Sequence, residues 1–252
     1  ACEEWMVAHF RNSGGLGAIF PPILNALMAM RCLGYADDHP EVQGQWREME
    51  AFEIEQGDTL RVQPCVSPVW DTALCSMALT AAGVAPDDPR IVRAGQWMLE
   101  KRVREKGDWA VKRPNAPVGG WYFEYANEFY PDVDDSAAVL MALDGSRLPN
   151  DAEKQRACSD AIEWIWAMHG SDGGWASFDV DNDRMIFTEI PFADHNAMLD
   201  PSTADITGRT LEMLSRYGYD SRDPRVRRAI DYLKKEQEPD GAWFGRWGVN
   251  YI

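Results

Sequence analysis

Residues 130–143 read Tyr-Pro-Asp-Val-Asp-Asp-Ser-Ala-Ala-Val-Leu-Met-Ala-Leu and combine two signals in one stretch. Three carboxylates, Asp132, Asp134 and Asp135, fall within four positions, and an apolar run follows them at once. Asp is favoured at the start of a helix, where backbone N–H groups lack partners and the helix dipole attracts negative charge. The stretch therefore predicts an apolar helix that begins at a cluster of acids.

One Asp would be enough to cap this helix, so the other two carboxylates favour a functional cluster. Carboxylates packed beside apolar rings repel and desolvate one another, and both effects favour the protonated form. A protonated Asp in a dry aromatic pocket is suited to a substrate without polar groups. The aromatic residues just before the acids are Trp121, Tyr122, Phe123, Tyr125, Phe129 and Tyr130.

A unit of two helices recurs along the chain. Each unit has an Asp-led apolar helix, a Pro/Asp-rich turn, an amphipathic helix and a Gly-x-Trp-type loop, and periods this long indicate stacked modules. We assign the loops to Trp109, Trp175 and Trp243, which are 66 and 68 residues apart. The apolar helices are predicted at 69–79, 134–143 and 204–214, and the amphipathic helices at 91–104, 157–169 and 226–236.

Two helices per unit and no convincing strand alternation predict an all-α fold, an α/α toroid of repeated helix pairs. The apolar helices should form its inner layer, with Asp71, Asp134/Asp135 and Asp205 capping them at one rim. Gly173 and Gly241 should adopt positive φ, so that the following Trp packs back across the helix end.

Residues 1–62 are less regular, with helices predicted at 1–10 and 21–33. We expect 1–62 to be the end of a first α/α-barrel domain and 63–252 to be the first part of the catalytic α/α-barrel domain. The chain begins without Met and stops inside an aromatic segment, so we expect an incomplete toroid, inactive by itself.

The composition restricts the partners. A net charge of −16 argues against nucleic acid and against a polybasic membrane anchor. The sequence predicts no metal, because the four His form no ligand pair and Asp179–Asp183 lacks the Gly and Glu of a calcium loop. Binding of Mg²⁺ at Asp132–Asp135 would need a second metal motif and a basic diphosphate site, and neither is found. No cofactor is expected.

Several blocks in order resemble the squalene–hopene cyclases of the triterpene cyclase superfamily. The motif Asp132-Val-Asp-Asp135 favours the squalene-using branch, since oxidosqualene cyclases carry Asp-Cys-Thr-Ala there. The similarity covers nearly the whole chain and includes Ser67–Thr72, Gly119–Trp121, Tyr130–Ala137, Gly173–Trp175, Asp179–Asn182, Ile190–Phe192, Asp205–Thr207 and Asp240–Tyr251.

The resemblance implies a protonation-initiated polycyclisation of squalene to hopene- or hopanol-type products. Asp134 would protonate a terminal alkene, Asp132 and Asp135 would hold and polarise it, and Arg209 would support the acid from a position where the family has His or another basic residue. The residues implied to bind substrate or stabilise cations are Trp70, Phe123, Phe178 and Trp247, with Phe192 at the substrate entrance and Asp205 tying the rim together.

Some positions depart from the family pattern. Phe178 replaces a Tyr, which should affect product fidelity more than activity. His169 and Lys101 stand where the repeat motif prefers Gln, so bracing of the outer helices should be weaker there. The resemblance also implies a peripheral enzyme on the cytoplasmic side of a membrane, in contact with its apolar surface, and is compatible with a homodimer.

Other functions stay open at this point. A bacterial class II diterpene cyclase carries a similar Asp-x-Asp-Asp acid, and the length of its cavity would distinguish it. A sugar-acting α/α-barrel hydrolase would use two carboxylates across a more polar groove. A non-catalytic repeat scaffold would not need three clustered Asp beside six aromatic residues.

Overall fold

The fold is described for residues 1–190 and 198–245 of a computed structural model. Within them, helices α1 to α9 span Cys2–Ala8, Phe20–Cys32, Pro40–Glu50, Pro68–Ala81, Pro89–Glu100, Val133–Asp144, Asp151–Ala167, Ala204–Arg216 and Pro224–Lys235. Two short strands, β1 Glu53–Gln56 and β2 Thr59–Val62, and the 3₁₀ helices Asp108–Val111 and Met185–Glu189 complete the elements.

The predicted helix pairs are confirmed. Helices α4, α6 and α8 lie side by side in one layer, and α5, α7 and α9 each pack on the helix that precedes them. The α6 stretch Ser136–Leu143 is buried on every side, as an apolar helix in a core must be. Helices α5 and α9 begin at Asp88 and Asp223, whose carboxylates accept a backbone N–H, with Pro next in the chain.

After each outer helix, a tryptophan side chain bonds back to the last turns of that helix, and we call this contact a joint. Trp175 Nε1 donates to the carbonyl of Ile165 in the last turn of α7 at 2.7 Å, and Trp243 Nε1 donates to Leu233 in α9 at 2.7 Å. Gly173 and Gly241 have the predicted positive φ, 99° and 94°. The predicted packing of these tryptophans across the helix ends is therefore confirmed.

The assignment of Trp109 to the first joint is wrong. Trp121 occupies this position, because its Nε1 donates to the carbonyl of Met98 in α5 at 2.6 Å. Trp109 is buried in the first 3₁₀ helix, edge-on to Trp164 at 6.1 Å. A near-constant spacing suggested Trp109, but the first connection is longer than the other two.

The joints also hold the start of the next inner helix. Asp132 N–H donates to Trp121 O at 2.8 Å, and Trp121 N–H donates to Ser136 Oγ at 2.8 Å. The next joint repeats this pattern, since Thr203 N–H donates to Trp175 O at 3.0 Å and Trp175 N–H donates to the hydroxyl of Thr207 at 3.0 Å. Trp121 and Trp175 thus each link an outer helix, the loop after it and the start of the next inner helix.

At the positions where we expect weaker bracing of the outer helices, the structure retains contacts. Gln237 Nε2 donates to Gly241 O at 2.8 Å, and His169 Nε2 lies 2.9 Å from Gly173 O, so His169 makes the equivalent contact. In the first joint, the position of the Gln is taken by Arg102 and not by Lys101, because the residue after Arg102 donates its N–H to Gly120 O. Arg102 forms an ion pair with Asp160 at 3.3 Å.

Residues 53–62 form a hairpin that the sequence did not predict. Strands β1 and β2 pair antiparallel, with Gln56 opposite Thr59 and Gly57 in the turn at φ 65°. Its side chains are mostly exposed, and the alternation of polar and apolar residues in Thr59–Val62 covers only four positions. Helices α1–α3 have a buried cluster of their own, comprising Met6, Phe10, Ile23, Ala26, Leu27, Met30, Val42 and Phe52.

Candidate active site

The acidic cluster lies at the start of α6. Asp132 is the N-cap, and its Oδ1 accepts the N–H groups of Asp134 at 2.6 Å and Asp135 at 3.2 Å. Asp134 and Asp135 therefore do not cap the helix as predicted but stand in its first turn, as Asp71 does in α4 and Asp205 in α8. Capping by Asp132 fixes the backbone of both neighbouring acids.

Asp134 faces a cation. Its Oδ1 lies 2.7 Å from Nε of Arg209 in α8, and about a quarter of the Asp134 side chain is exposed. The guanidinium carbon of Arg209 lies 4.8 Å from the ring centroid of Trp70 in α4. Three neighbouring inner helices thus each supply one member of this group.

Burial dominates the electrostatics of the acids. It raises the pKa of Asp134 to about 6, with a further increase from the charge of Asp205 and a decrease from Arg209. Burial and the charge of Asp134 raise the pKa of Asp132, while burial and the charge of Asp132 raise that of Asp135. The cluster therefore holds protons at a pH where exposed carboxylates would be ionised.

Glu124 is a member of the acidic cluster that sequence reasoning missed. It is 3 % exposed, and its Oε2 has no hydrogen-bond partner. Burial raises its pKa to about 7, and its charge in turn raises the pKa of Asp135, whose buried Oδ1 also lacks a partner. Its position one residue after Phe123 was the available signal, but burial is a tertiary property.

Asp200 is a second buried acid that sequence reasoning missed. Its carboxylate accepts the backbone N–H groups of Ser177 at 3.2 Å, Phe178 at 2.6 Å and Asp179 at 2.7 Å. Ser177 O in turn accepts the N–H of Val133, the first residue of α6. Burial raises the pKa of Asp200 to about 6 in spite of these three donors. Asp200 therefore fixes the loop of Phe178 against the acidic cluster.

Two of the aromatic residues predicted for the site, Phe123 and Phe178, lie in the segments that bond the starts of α4 and α6. Phe123 is half-buried and its carbonyl accepts the N–H of Val69, the residue before Trp70. Phe178 is half-buried and packs edge-on against Tyr130, with ring centroids 6.5 Å apart. The hydroxyl of Tyr130 donates to Asp108 at 3.0 Å.

A cavity of about 600 Å³ lies on the side of the inner helices that carries Arg209 and Asp205. Met77 of α4 and Met141 of α6 form part of its wall, and Leu233, Trp243 and Phe244 border it from the third joint. The cavity is thus largely apolar, with a cation that contacts Asp134 at its edge.

Within residues 1–190 and 198–245, no three His, Cys, Asp or Glu side chains converge as metal ligands. In the same part of the chain, no helix has the length and hydrophobicity needed to cross a bilayer.

The sequence matches two domains of a known protein family. Residues 66–252 match the squalene-hopene cyclase C-terminal domain, and residues 1–58 match the squalene-hopene cyclase N-terminal domain. The chain belongs to the squalene-hopene cyclase family. The helix pairs described above are accordingly part of the α/α toroid of this family, and the predicted family and fold class are confirmed.

Relatives in this family come from bacteria, fungi and plants. The squalene–hopene cyclase of Alicyclobacillus acidocaldarius is 43 % identical over 251 residues, which are 99 % of this chain and 40 % of the relative. The squalene-hopene cyclase of Schizosaccharomyces japonicus is 45 % identical, and the matched region is 100 % of this chain and 39 % of the relative. Dammaradiene synthase of Dryopteris crassirhizoma is 41 % identical, and the matched region is 99 % of this chain and 38 % of the relative. The chain spans about 40 % of the length of these curated relatives.

The structure brings Asp132, Asp134, Asp135, Arg209 and Trp70 into one group. Asp205 acts electrostatically on Asp134 from the next inner helix. The predicted entrance residue Phe192 and the predicted cavity residue Trp247 lie outside the described residues.

Proposed function

We propose that this chain carries the acid of an enzyme that cyclises squalene by protonation, giving hopene- or hopanol-type products. The ion pair between Asp134 and Arg209 beside a largely apolar cavity is the observation that carries the proposal. The names of two relatives, both squalene–hopene cyclases, support squalene over a C20 substrate. Because the chain spans about 40 % of these relatives, the activity is proposed for a cyclase of their length that contains it.

In the proposed reaction, the carboxylic acid of Asp134 gives its proton to the terminal alkene of squalene. The π electrons form the new C–H bond, a tertiary carbocation results, and Asp134 becomes a carboxylate. Successive alkenes attack the cation and close rings until a proton is lost, either from carbon to give an alkene or from the oxygen of a captured water to give an alcohol, and this loss restores neutrality. Asp134 then regains a proton from solvent.

The chain's residues have separate roles in this scheme. Arg209 stabilises the carboxylate that Asp134 becomes, and thereby makes the acid stronger. Asp132 holds the backbone of Asp134 and Asp135 through its capping bonds. Phe123 and Phe178 would offer π faces, which stabilise a cation without quenching it as a base or water would.

The test is Asp134→Asn in a cyclase of the relatives' length, supplied with squalene and analysed by gas chromatography–mass spectrometry. An amide keeps the shape but cannot deliver the proton, so turnover should fall at least about a thousandfold. Asp144→Asn is the matched control, because Asp144 is exposed at the other end of the same helix.

Equal turnover of Asp134→Asn and the unmodified enzyme would overturn the proposal. Conversion of a C20 isoprenoid diphosphate in place of squalene would instead assign a class II diterpene cyclase. Hydrolysis of a polysaccharide would point to the carbohydrate-active alternative.

We also propose a division into two domains, the end of one α/α barrel at 1–62 and the first part of the catalytic barrel at 63–252. The separate buried cluster of α1–α3 and the two family matches support this division.

A contact with an apolar membrane surface, on the cytoplasmic side, is proposed as well. It is supported by four exposed apolar residues, Met185, Ile186, Ile190 and Met198. A homodimer belongs to the same proposal, and sedimentation of the detergent-solubilised enzyme would test it.

A further inference from the structure

Arg209 is held between a carboxylate and an aromatic ring. Its Nε lies 2.7 Å from Asp134 Oδ1, yet neither atom has a hydrogen-bond partner, so the N–H does not point along this contact. An ion pair without a directed hydrogen bond fixes distance better than orientation. Among the described residues, the ring of Trp70 is in place to hold the plane of the guanidinium, because its centroid lies 4.8 Å from Cζ.

One face of the Trp70 ring is occupied by a cationic side chain of the protein. The guanidinium already lies over the indole, at a distance where the attraction between a cation and a π face is effective. The two side chains come from α4 and α8, while the acid comes from α6 between them. Trp70 therefore reaches the acid through Arg209 and not by direct contact with the reacting carboxyl group.

We propose that Trp70 is a positioning residue for the acid: its ring orients the Arg209 guanidinium against Asp134 and thereby sets the strength with which Asp134 protonates the substrate. This role rests on the proposed function of Asp134. It differs from the cation-stabilising role that the family resemblance implies for Trp70, because its effect is on initiation and not on the cations formed later.

The charges that act on Asp134 give the expected pH dependence. Arg209 and Asp205 act on Asp134 from α8, and the charge of Asp134 in turn raises the pKa of Asp132 and Asp135. On α4, the nearest acid to Trp70 in sequence, Asp71, accepts a hydrogen bond from the hydroxyl of Ser67. Arg209 lowers the pKa of Asp134. When Arg209 is no longer oriented, this pKa rises, so the acid stays protonated to higher pH but is weaker.

The experiment is a double-mutant cycle in a cyclase of the relatives' length, with Trp70→Leu, Arg209→Gln and the double variant, measured with squalene under single-turnover conditions. Trp70→Leu alone should slow initiation by about tenfold and move the alkaline limb of the pH profile to higher pH. In the Arg209→Gln background, the same change should cost less than about twofold. Trp70→Phe should be intermediate, because Phe is a weaker partner for a cation.

Trp97→Leu is the matched control. Trp97 lies on the outer helix α5, where Lys101 Nζ stands 5.5 Å from its ring, so this variant removes a similar pair remote from the acid. Neither the initiation rate nor the pH profile should change, and thermal denaturation of each variant would show that it is folded.

Equal losses from Trp70→Leu in both backgrounds would overturn the inference, as would a change in product pattern with the pH profile unmoved. Asp134→Asn in the same assay separates this failure from that of the proposed function. If Asp134→Asn stays active, the function itself is wrong; if it is inactive while the cycle is additive, only the role of Trp70 is wrong.

Discussion

Asp134 keeps about a quarter of its side chain exposed, whereas Asp132 and Asp135 are buried. Two opposing effects set its proton affinity: burial raises the pKa and Arg209 lowers it, and burial is the larger, with a result of about 6. The least buried acid is thus the one with a cationic partner. Three Asp beside aromatic residues indicate the cluster from the sequence alone, whereas Arg209 as the partner of the acid was implied only by the family resemblance.

At the residue scale, we predict that Glu124→Gln stabilises the protein at high pH. The pKa of Glu124 is raised from 4.5 to about 7 in the folded state, so its contribution to stability is present at low pH and is lost as the pH rises through about 7. Relative to the unmodified protein, the variant should gain on the order of 2–3 kcal/mol in free energy of unfolding at pH 8, and little at pH 5. Urea denaturation at both values measures this.

Glu128→Gln provides the control for this prediction. It makes the same chemical change four residues away, at a side chain that is only half-buried. Its effect on the free energy of unfolding, measured at the same two pH values, gives the cost of the chemical change outside the buried cluster. A pH-independent effect of Glu124→Gln would mean that Glu124 finds a partner that stabilises its charge.

We further predict that Phe178→Tyr changes the products of the cyclase more than its total rate. The backbone of Phe178 is fixed by Asp200, so a tyrosine hydroxyl should be held in a definite place beside Tyr130. A fixed polar group there could orient a neighbouring group or a water molecule near the cations. The ratio of complete to truncated polycycles in the squalene assay measures the effect, and an unaltered ratio would argue that Phe178 does not contact them.

At the scale of the elements, the inner and outer helices could be predicted because apolar period, Pro and Asp signals agree with one another. The hairpin at 53–62 was missed although Thr59–Val62 alternates and Gly57-Asp58 is a turn signal, because each strand has only four residues and both are exposed. Trp121 was missed because a repeat was expected to have constant length. Glu124 and Asp200 were missed because their burial depends on segments distant in sequence, and single acids in loops are ordinary surface residues.

The joints allow a prediction at this scale. Trp175→Phe should lower the free energy of unfolding by about 2–3 kcal/mol, because the carbonyl of Ile165 loses its donor in the core and a smaller ring fills the space. Trp243→Phe makes the same change at a side chain that is 49 % exposed, so its cost should stay within about 1 kcal/mol.

Chemical denaturation of the two variants side by side checks the comparison. Similar losses for both would mean that burial does not determine the strength of a joint. A larger loss for Trp243→Phe would mean that the third joint is covered in solution.

On the scale of the whole molecule, the cluster of α1–α3 and the cluster of α4–α9 meet at a few polar contacts. Asp108 accepts from Trp5 Nε1 at 3.1 Å and from the hydroxyl of Tyr130 at 3.0 Å, and its Oδ1 lies 3.3 Å from His9 Nε2. Phe20 N–H donates to Pro64 O at 2.8 Å. The N-terminal segment is therefore connected through Tyr130 to the aromatic residues beside the acid.

We predict that residues 1–252 expressed alone bind a hydrophobic dye and do not convert squalene. Met28, Leu33 and Trp46 are 58 %, 53 % and 45 % exposed, and Leu79 on the inner layer is 38 % exposed. Such surfaces recruit dye and promote association. Fluorescence of the bound dye and calorimetry would be compared with a cyclase of the relatives' length, which should bind less dye. A sharp thermal transition, low dye binding and turnover of squalene would contradict this.

The tryptophan joints fix both ends of each connection and leave the number of residues between them free. That number differs: Met98 and Trp121 are 23 positions apart, whereas Ile165 and Trp175, like Leu233 and Trp243, are 10 apart. Each doubling of a loop costs only about 0.6 kcal/mol in closure entropy. The loops that follow the outer helices are therefore places where related enzymes can gain or lose whole segments during evolution. The acid at the start of the next inner helix keeps its position when they do.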